Sequence, residues 1–239
     1  MGELKKQRIA FVKRGPTLSL MLSVSFALLL FAACNDNAKK ESGADDSDEA
    51  SLAASVKRHV YPQPDAEVAV IETKEYGKIT LELYPNIAPQ MVARFKQLIK
   101  ENFYDGTTFH RIDPDLGIIQ GGDPLSKDDD PNNDGTGDSK YPNVPGEMSD
   151  VPFERGTLGA ARKGAQTGMS EREARDTANC QFFITLKRQP AFDERYTVFG
   201  RVVEGLNNAE TIMGAPVAEG TERPDPPIII KSITLQKRQ

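Results

Sequence analysis

Lys78-Ile79-Thr80-Leu81-Glu82-Leu83 alternates polar and apolar side chains residue by residue, the period of a strand with one buried face. Val68-Ala69-Val70-Ile71-Glu72-Thr73 before it is also β-rich, and Tyr76-Gly77 separates the two. Further along, Pro89 opens a helix, a favoured use of proline in a first turn. Val92, Phe95 and Ile99 recur at helical spacing through Glu101, and Met91 and Leu98 widen the apolar stripe. Five more strand-like runs follow at Thr108–Ile112, Ile118–Gly121, Thr157–Ala161, Gln181–Leu186 and Thr197–Val203. A second helix over Leu206–Met213 and a last strand over Ile228–Leu235 complete the pattern. Eight strands with two helices, and no internal repeat, predict a mostly β fold: a closed eight-stranded antiparallel β-barrel capped by two α-helices. Side chains fill the interior of so small a barrel, so a ligand is expected in a groove on its outer surface.

Composition narrows the function. The 239 residues carry a net charge of -5, without the clustered basic face of a nucleic-acid binder. Only two histidines, His59 and His110, occur, and they lie far apart, so no metal site is expected. Cys34 and Cys180 are too few for a disulfide framework.

The N-terminal residues read as a sorting device. Lys5, Lys6, Arg8, Lys13 and Arg14 precede an apolar run from Leu18 to Ala33, the pattern of a secretory signal. The run is shorter than the roughly 20 apolar residues of a membrane-spanning helix, and serines interrupt it. Leu30-Phe31-Ala32-Ala33-Cys34 resembles a bacterial lipobox, with Phe31 where leucine is more usual. This implies a signal peptide over residues 1–33 and lipidation of Cys34; an uncleaved anchor or ordinary cleavage nearby are the other readings. Asn35 to about Val56 is rich in Asp, Glu, Lys, Ser, Ala and Gly and buries too little apolar surface to offset chain entropy. Residues 34–66 are therefore expected to form a disordered acidic tether, with Tyr61-Pro62-Gln63-Pro64 as a stiff approach to a domain over 67–236. Residues 237–239 would be a short tail.

Within that domain, four stretches occur in order: Phe109-His110-Arg111-Ile112, Gln120-Gly121-Gly122-Asp123, Gln181-Phe182-Phe183-Ile184 and Val198-Phe199-Gly200-Arg201-Val202. Any one alone is weak, since a lone FHR is commonly a core aromatic beside a surface arginine. Together they resemble the cyclophilin family from Glu67 to Gln236. The resemblance implies a peptidyl-prolyl cis-trans isomerase acting without covalent chemistry or a cofactor. Arg111 matches the family's catalytic arginine, and Gln120 and Gln181 match the glutamines that orient it and bind substrate backbone. Phe183 matches the aromatic wall of the proline pocket, Ala161 a backbone-binding position, and Phe192 and Tyr196 the far side of the pocket. His110 is expected to be structural, and Cys180 a small buried residue.

The chain also departs from the family. Pro114-Asp115-Leu116-Gly117-Ile118-Ile119 is one residue longer than usual and lacks the pocket aromatic, so Leu116 and Ile118 become candidates for the floor. Arg162 replaces a family asparagine, and Ala191 a tryptophan, which implies weak cyclosporin binding. Asp130-Pro131-Asn132-Asn133-Asp134-Gly135 matches the start of a calcium loop, but Tyr141 stands where the bidentate glutamate belongs. An acidic surface loop is the reading adopted. The insertion Lys163–Asn179, helical over Ser170–Asp176, is expected beside the groove. The expectation is a monomeric isomerase, lipid-anchored in a bacterial cell envelope and facing the periplasm or the cell surface. Its partners would be proline-containing segments of exported or unfolded proteins; the rival reading is a proline-binding module with little turnover.

Overall fold

The computed structural model describes residues 51–52, 55–164 and 169–239. The signal-peptide residues, Cys34 and the acidic part of the tether lie outside them. Strand β1 (Glu67–Thr73) pairs antiparallel with β2 (Lys78–Leu83), with Ala69 opposite Leu81 and Ile71 opposite Ile79. All four of these side chains are fully buried, so the alternation in the sequence is the alternation between barrel interior and exterior. The connecting turn needs a left-handed residue, supplied by Gly77 at φ 78°.

The remaining strands are β3 (Thr108–Asp113), β4 (Ile118–Gly121), β5 (Thr157–Ala160), β6 (Phe182–Thr185), β7 (Val198–Glu204) and β8 (Ile228–Lys237). They close into a barrel in the order β1-β2-β7-β5-β6-β4-β3-β8, every neighbouring pair antiparallel. The expected barrel is therefore present, with strand ends moved by a residue or two.

Helix α1 (Pro89–Lys100) buries Met91, Val92, Phe95, Leu98 and Ile99 against the barrel. Ala88 offers its N-terminus no side-chain cap. Instead the buried Glu147 carboxylate accepts from the Gln90 and Met91 N–H groups at 3.2 and 2.9 Å, pairing an anion with the positive end of the helix. Helix α3 (Leu206–Met213) is the second long helix and spans the residues expected. The expected helix in the insertion is a short one, α2 (Glu171–Arg175), capped reciprocally by Ser170 and Glu173. Among the described residues no helix is long and apolar enough to cross a membrane.

Two apolar clusters divide the structure. The larger contains Phe95, Tyr104, Phe109, Phe182 and Phe199, all with no exposed surface. Phe95 lies at its centre, 5.3 Å from Tyr104, 5.6 Å from Phe182 and 5.4 Å from Phe199 between ring centroids. A smaller cluster, with Tyr84, Ile87, Ile118, Phe153, Phe183, Phe192 and Val198, lies apart from it. Adjacent Phe182 and Phe183 serve different clusters because side chains of a strand alternate faces.

Two boundaries need correction. Residues 55–66 are not part of a disordered tether. Val56 is buried, Lys57 N–H donates to Met148 O at 2.9 Å, its carbonyl accepts from Asp150 N–H at 3.0 Å, and Lys57 Nζ donates to Ile87 O at 2.7 Å. Backbone bonding to the domain offsets the entropy that composition alone left uncompensated. At the other end β8 runs to Lys237, and Arg238 N–H donates to Ala66 O at 2.9 Å, so the first residue of the expected tail is strand and the second is bonded to the domain.

Phe95→Ala should destabilise the domain by about 3–5 kcal/mol, since a fully buried ring at a well-packed site leaves a cavity. Urea unfolding at constant m-value measures it; a loss below about 1 kcal/mol would show that the surrounding rings collapse into the space.

Candidate active site

Register brings the chemistry together. Arg111 on β3 sits opposite Gln120 on β4, Gln120 opposite Phe183 on β6, and Phe183 opposite Gly159 on β5. These four residues form one row across four adjacent strands of the barrel. Arg111 reaches the outer face through a register shift between Phe109 and Arg111. Phe109 is buried in the core, and Arg111, two residues on, would follow it inward in a regular strand; the extra residue, His110, reverses that.

At the polar end, each glutamine has its orientation fixed by its partners. Arg111 Nη1 donates to Gln120 Oε1 at 3.5 Å, Gln120 Nε2 to Gln181 Oε1 at 3.0 Å, and Gln181 Nε2 to the Gly137 carbonyl at 2.9 Å. The Arg111 side chain is 34 % exposed, so its guanidinium is both held and open to the groove. Asp113 accepts from Nη2 at 2.7 Å, and Glu222 accepts from Nε. Neither carboxylate was anticipated from the sequence.

At the apolar end, Phe183 stacks on Phe153 at 5.6 Å and 19°. Phe192 and Tyr196 meet it edge-on at 5.5 and 5.7 Å. Offset and edge-to-face arrangements suit the ring quadrupoles and fix the rings against one another. The close approach requires Gly159, where an added Cβ would lie 2.3 Å from Phe183 Cζ. Phe153, missed in the sequence reading, is the buried support under Phe183; its signal was an isolated aromatic after Val151-Pro152. The two floor candidates separate: Ile118 is buried within the cluster, whereas Leu116 is partly buried at its edge. Ala161 N–H donates to Gln181 O at 3.0 Å, so that donor is used inside the sheet. Arg162 lies over the Tyr196 ring at 4.5 Å and pairs with Glu171 of α2 at 2.6 Å, which ties the insertion to the pocket wall.

Two nearby groups have shifted pKa values. Burial lowers the His110 imidazole to about 4, so the ring is neutral at physiological pH. Burial pushes the Cys180 thiol up to about 12, which leaves it protonated and unreactive. In the acidic loop, Asp128 and Asp130 accept from the N–H groups of Asp130 and Asn132 within the loop itself. Among the described residues no three His, Cys, Asp or Glu side chains converge as a metal-ligand set.

The family model for cyclophilin-type peptidyl-prolyl cis-trans isomerases matches residues 68–235. The chain belongs to the cyclophilin family. It is 38 % identical over 172 residues to a probable peptidyl-prolyl cis-trans isomerase of Brucella suis, covering 70 % of this chain and 83 % of the relative. It is 37 % identical over 167 residues to the isomerase ppi1 of Schizosaccharomyces pombe, covering 66 % and 94 %. A cyclophilin-type isomerase of Cryptosporidium parvum superposes with a TM-score of 0.62 at 29 % identity, covering 72 % of this chain and 99 % of its own. The same Cryptosporidium protein was solved in the presence of the dipeptide Ala-Pro, superposing with a TM-score of 0.61 at 26 % identity. This cyclophilin is a peptidyl-prolyl cis-trans isomerase, and its barrel is the family's barrel.

Gly159→Ala should push Phe183 off Phe153, costing about 1–3 kcal/mol from overpacking and slowing isomerisation together with it. Unfolding and peptide-relaxation assays on one preparation test this. Unchanged values in both would show that the ring moves aside freely.

Proposed function

We propose that this cyclophilin accelerates X-Pro rotation in proteins exported to the cell envelope, with Arg111 stabilising the twisted amide. Resonance gives a peptide bond a rotational barrier of roughly 18–20 kcal/mol, and uncatalysed X-Pro isomerisation takes tens to hundreds of seconds. No covalent bond has to form or break. As the bond twists, the proline nitrogen becomes pyramidal and recovers its lone pair, which is absent from both planar isomers. A guanidinium N–H placed there interacts with the twisted state alone, and only such differential interactions raise the rate. Each roughly 1.4 kcal/mol gained gives a tenfold acceleration.

The observation that carries this reading is the single row from Phe183 to Arg111. Two strand spacings separate them, about 10 Å of sheet, a span that lets a proline rest on the apolar cluster while the guanidinium reaches its nitrogen. Proline-containing segments are the proposed substrate class, the class to which the Ala-Pro present with the Cryptosporidium relative belongs. Leu116, Phe192 and Tyr196 would enclose the ring, with Gln120 and Gln181 presented to the peptide backbone.

The proposed setting is a cell envelope, facing the periplasm or the cell surface, with the enzyme acting as a monomer. Basic residues, an apolar run and a lipobox-like end at Cys34 support export and lipidation, and two or more acyl chains would anchor it stably where one binds marginally.

Relaxation of a cis X-Pro peptide tests the chemistry. Arg111→Ala should lower kcat/KM about 100-fold, as removal of a transition-state donor commonly does; equal activity would place the catalytic group elsewhere. Labelled palmitate should be incorporated into the full chain and not into Cys34→Ser, and an unlabelled wild-type chain would refute the anchor.

A further inference from the structure

We infer that Asp113 and Glu222 are positioning residues that set the plane of the Arg111 guanidinium, Asp113 doing so from the end of β3, where it also holds the loop that carries Leu116. The inference rests on the proposal that Arg111 acts on the twisted amide. A guanidinium has five N–H donors in one plane. Three are committed here: Nε–H to Glu222, one Nη2 hydrogen to Asp113 at 2.7 Å, and one Nη1 hydrogen to Gln120 at 3.5 Å. The two carboxylates hold different nitrogens, so together they fix rotation about the end of the side chain as well as its position. That leaves one hydrogen on each terminal nitrogen for substrate.

Stability does not account for the arrangement. Glu222 is 48 % exposed and Arg111 34 %, and ion pairs so open to water contribute little to folding. Backbone bonding brings Glu222 there instead: its carbonyl accepts from Ile112 N–H at 2.7 Å, which sews the loop between α3 and β8 to β3 beside Arg111. Asp113 is different, with a side chain only 6 % exposed, and a buried carboxylate needs partners. Its Oδ2 takes the Arg111 hydrogen, and its Oδ1 accepts from Leu116 N–H at 2.8 Å. One carboxylate thus connects the guanidinium to the extended loop 113–117. Gln189 Nε2 donates to the Leu116 carbonyl from the other side, so that loop is held at both ends of the Leu116 residue. Preorganised groups cost nothing to orient at the moment of reaction, and loss of orientation slows the chemical step.

The test separates orientation from charge and from folding. In the full chain, Glu222→Ala should lower kcat about tenfold with KM changed by less than about twofold, as expected for a misplaced group that still binds substrate. Glu222→Gln, whose amide oxygen still accepts from Nε–H, should recover kcat to within about threefold of the wild type, because geometry is restored without the charge. Asp113→Ala should lower kcat and also raise KM, since it frees both Arg111 and Leu116. Asp113→Asn keeps an acceptor for Leu116 N–H and should restore KM. Unchanged kcat in Glu222→Ala, or Glu222→Gln as impaired as Glu222→Ala, overturns the inference. Should Asp113→Ala not fold, the exposed Glu222 pair decides alone. Full activity in Arg111→Ala is the distinct outcome that would remove the proposed function itself.

Discussion

Pairing of β1 with β8 closes the sheet, and the rest of the molecule follows from that closure. Ala69, Ile71 and Ile233 lie along this seam with their side chains buried. Once eight strands meet, the interior has room only for its own side chains. A substrate must then lie outside, and strands that face a filled core on one side have their other face free for function. The row Gly159, Phe183, Gln120 and Arg111 crosses four adjacent strands of this sheet. Its residues are far apart in the chain but share one line across the sheet, because antiparallel register turns sequence distance into lateral neighbourhood.

Most of the barrel was legible because strand periodicity is local. Ile79, Leu81 and Leu83 report their burial through their spacing alone, and α1 announces itself through Pro89 and the Phe95 stripe. The juxtaposition of Arg111, Gln120 and Gln181 at the candidate site was legible through motifs that resemble a family. Glu222 was not, because it lies 111 positions from Arg111 and no local pattern marks the loop that carries it. Asp113 is two residues from Arg111, yet in a regular strand that spacing says only that the two share a face. Residues 55–66 misled for the opposite reason. Their composition describes a chain with nothing to bind, while their backbone finds Met148, Asp150 and Leu83 on the domain.

The candidate pocket takes its aromatic rings from Phe153, Phe183, Phe192 and Tyr196, and only aliphatic groups from Leu116 and Ile118. The segment from Pro114 to Ile119 contains no aromatic ring, where the family resemblance would place one. Phe192 stands where that resemblance has leucine, 4.9 Å from Tyr196, and Phe153 underlies Phe183. A proline ring needs flat, weakly polar surface without a demand for hydrogen bonds, and it is indifferent to which strand or loop provides it. Rings that pack on one another also hold their orientation better than an isolated ring on a loop, so the aromatic surface sits on the better-supported side.

The chain of amides from Arg111 to Gly137 has a direction. Every link donates toward the Gly137 carbonyl, and a flipped Gln120 or Gln181 would set donor against donor with no acceptor between. The orientation of both amides is therefore fixed from both ends, by a guanidinium that can only donate and a main-chain oxygen that can only accept. Gly137 is itself held by Asp123, which accepts its N–H at 3.2 Å and also that of Gly135. The loop that carries Gly135 and Gly137 thereby helps set how the two amides are turned: oxygen toward the guanidinium, nitrogen away from it.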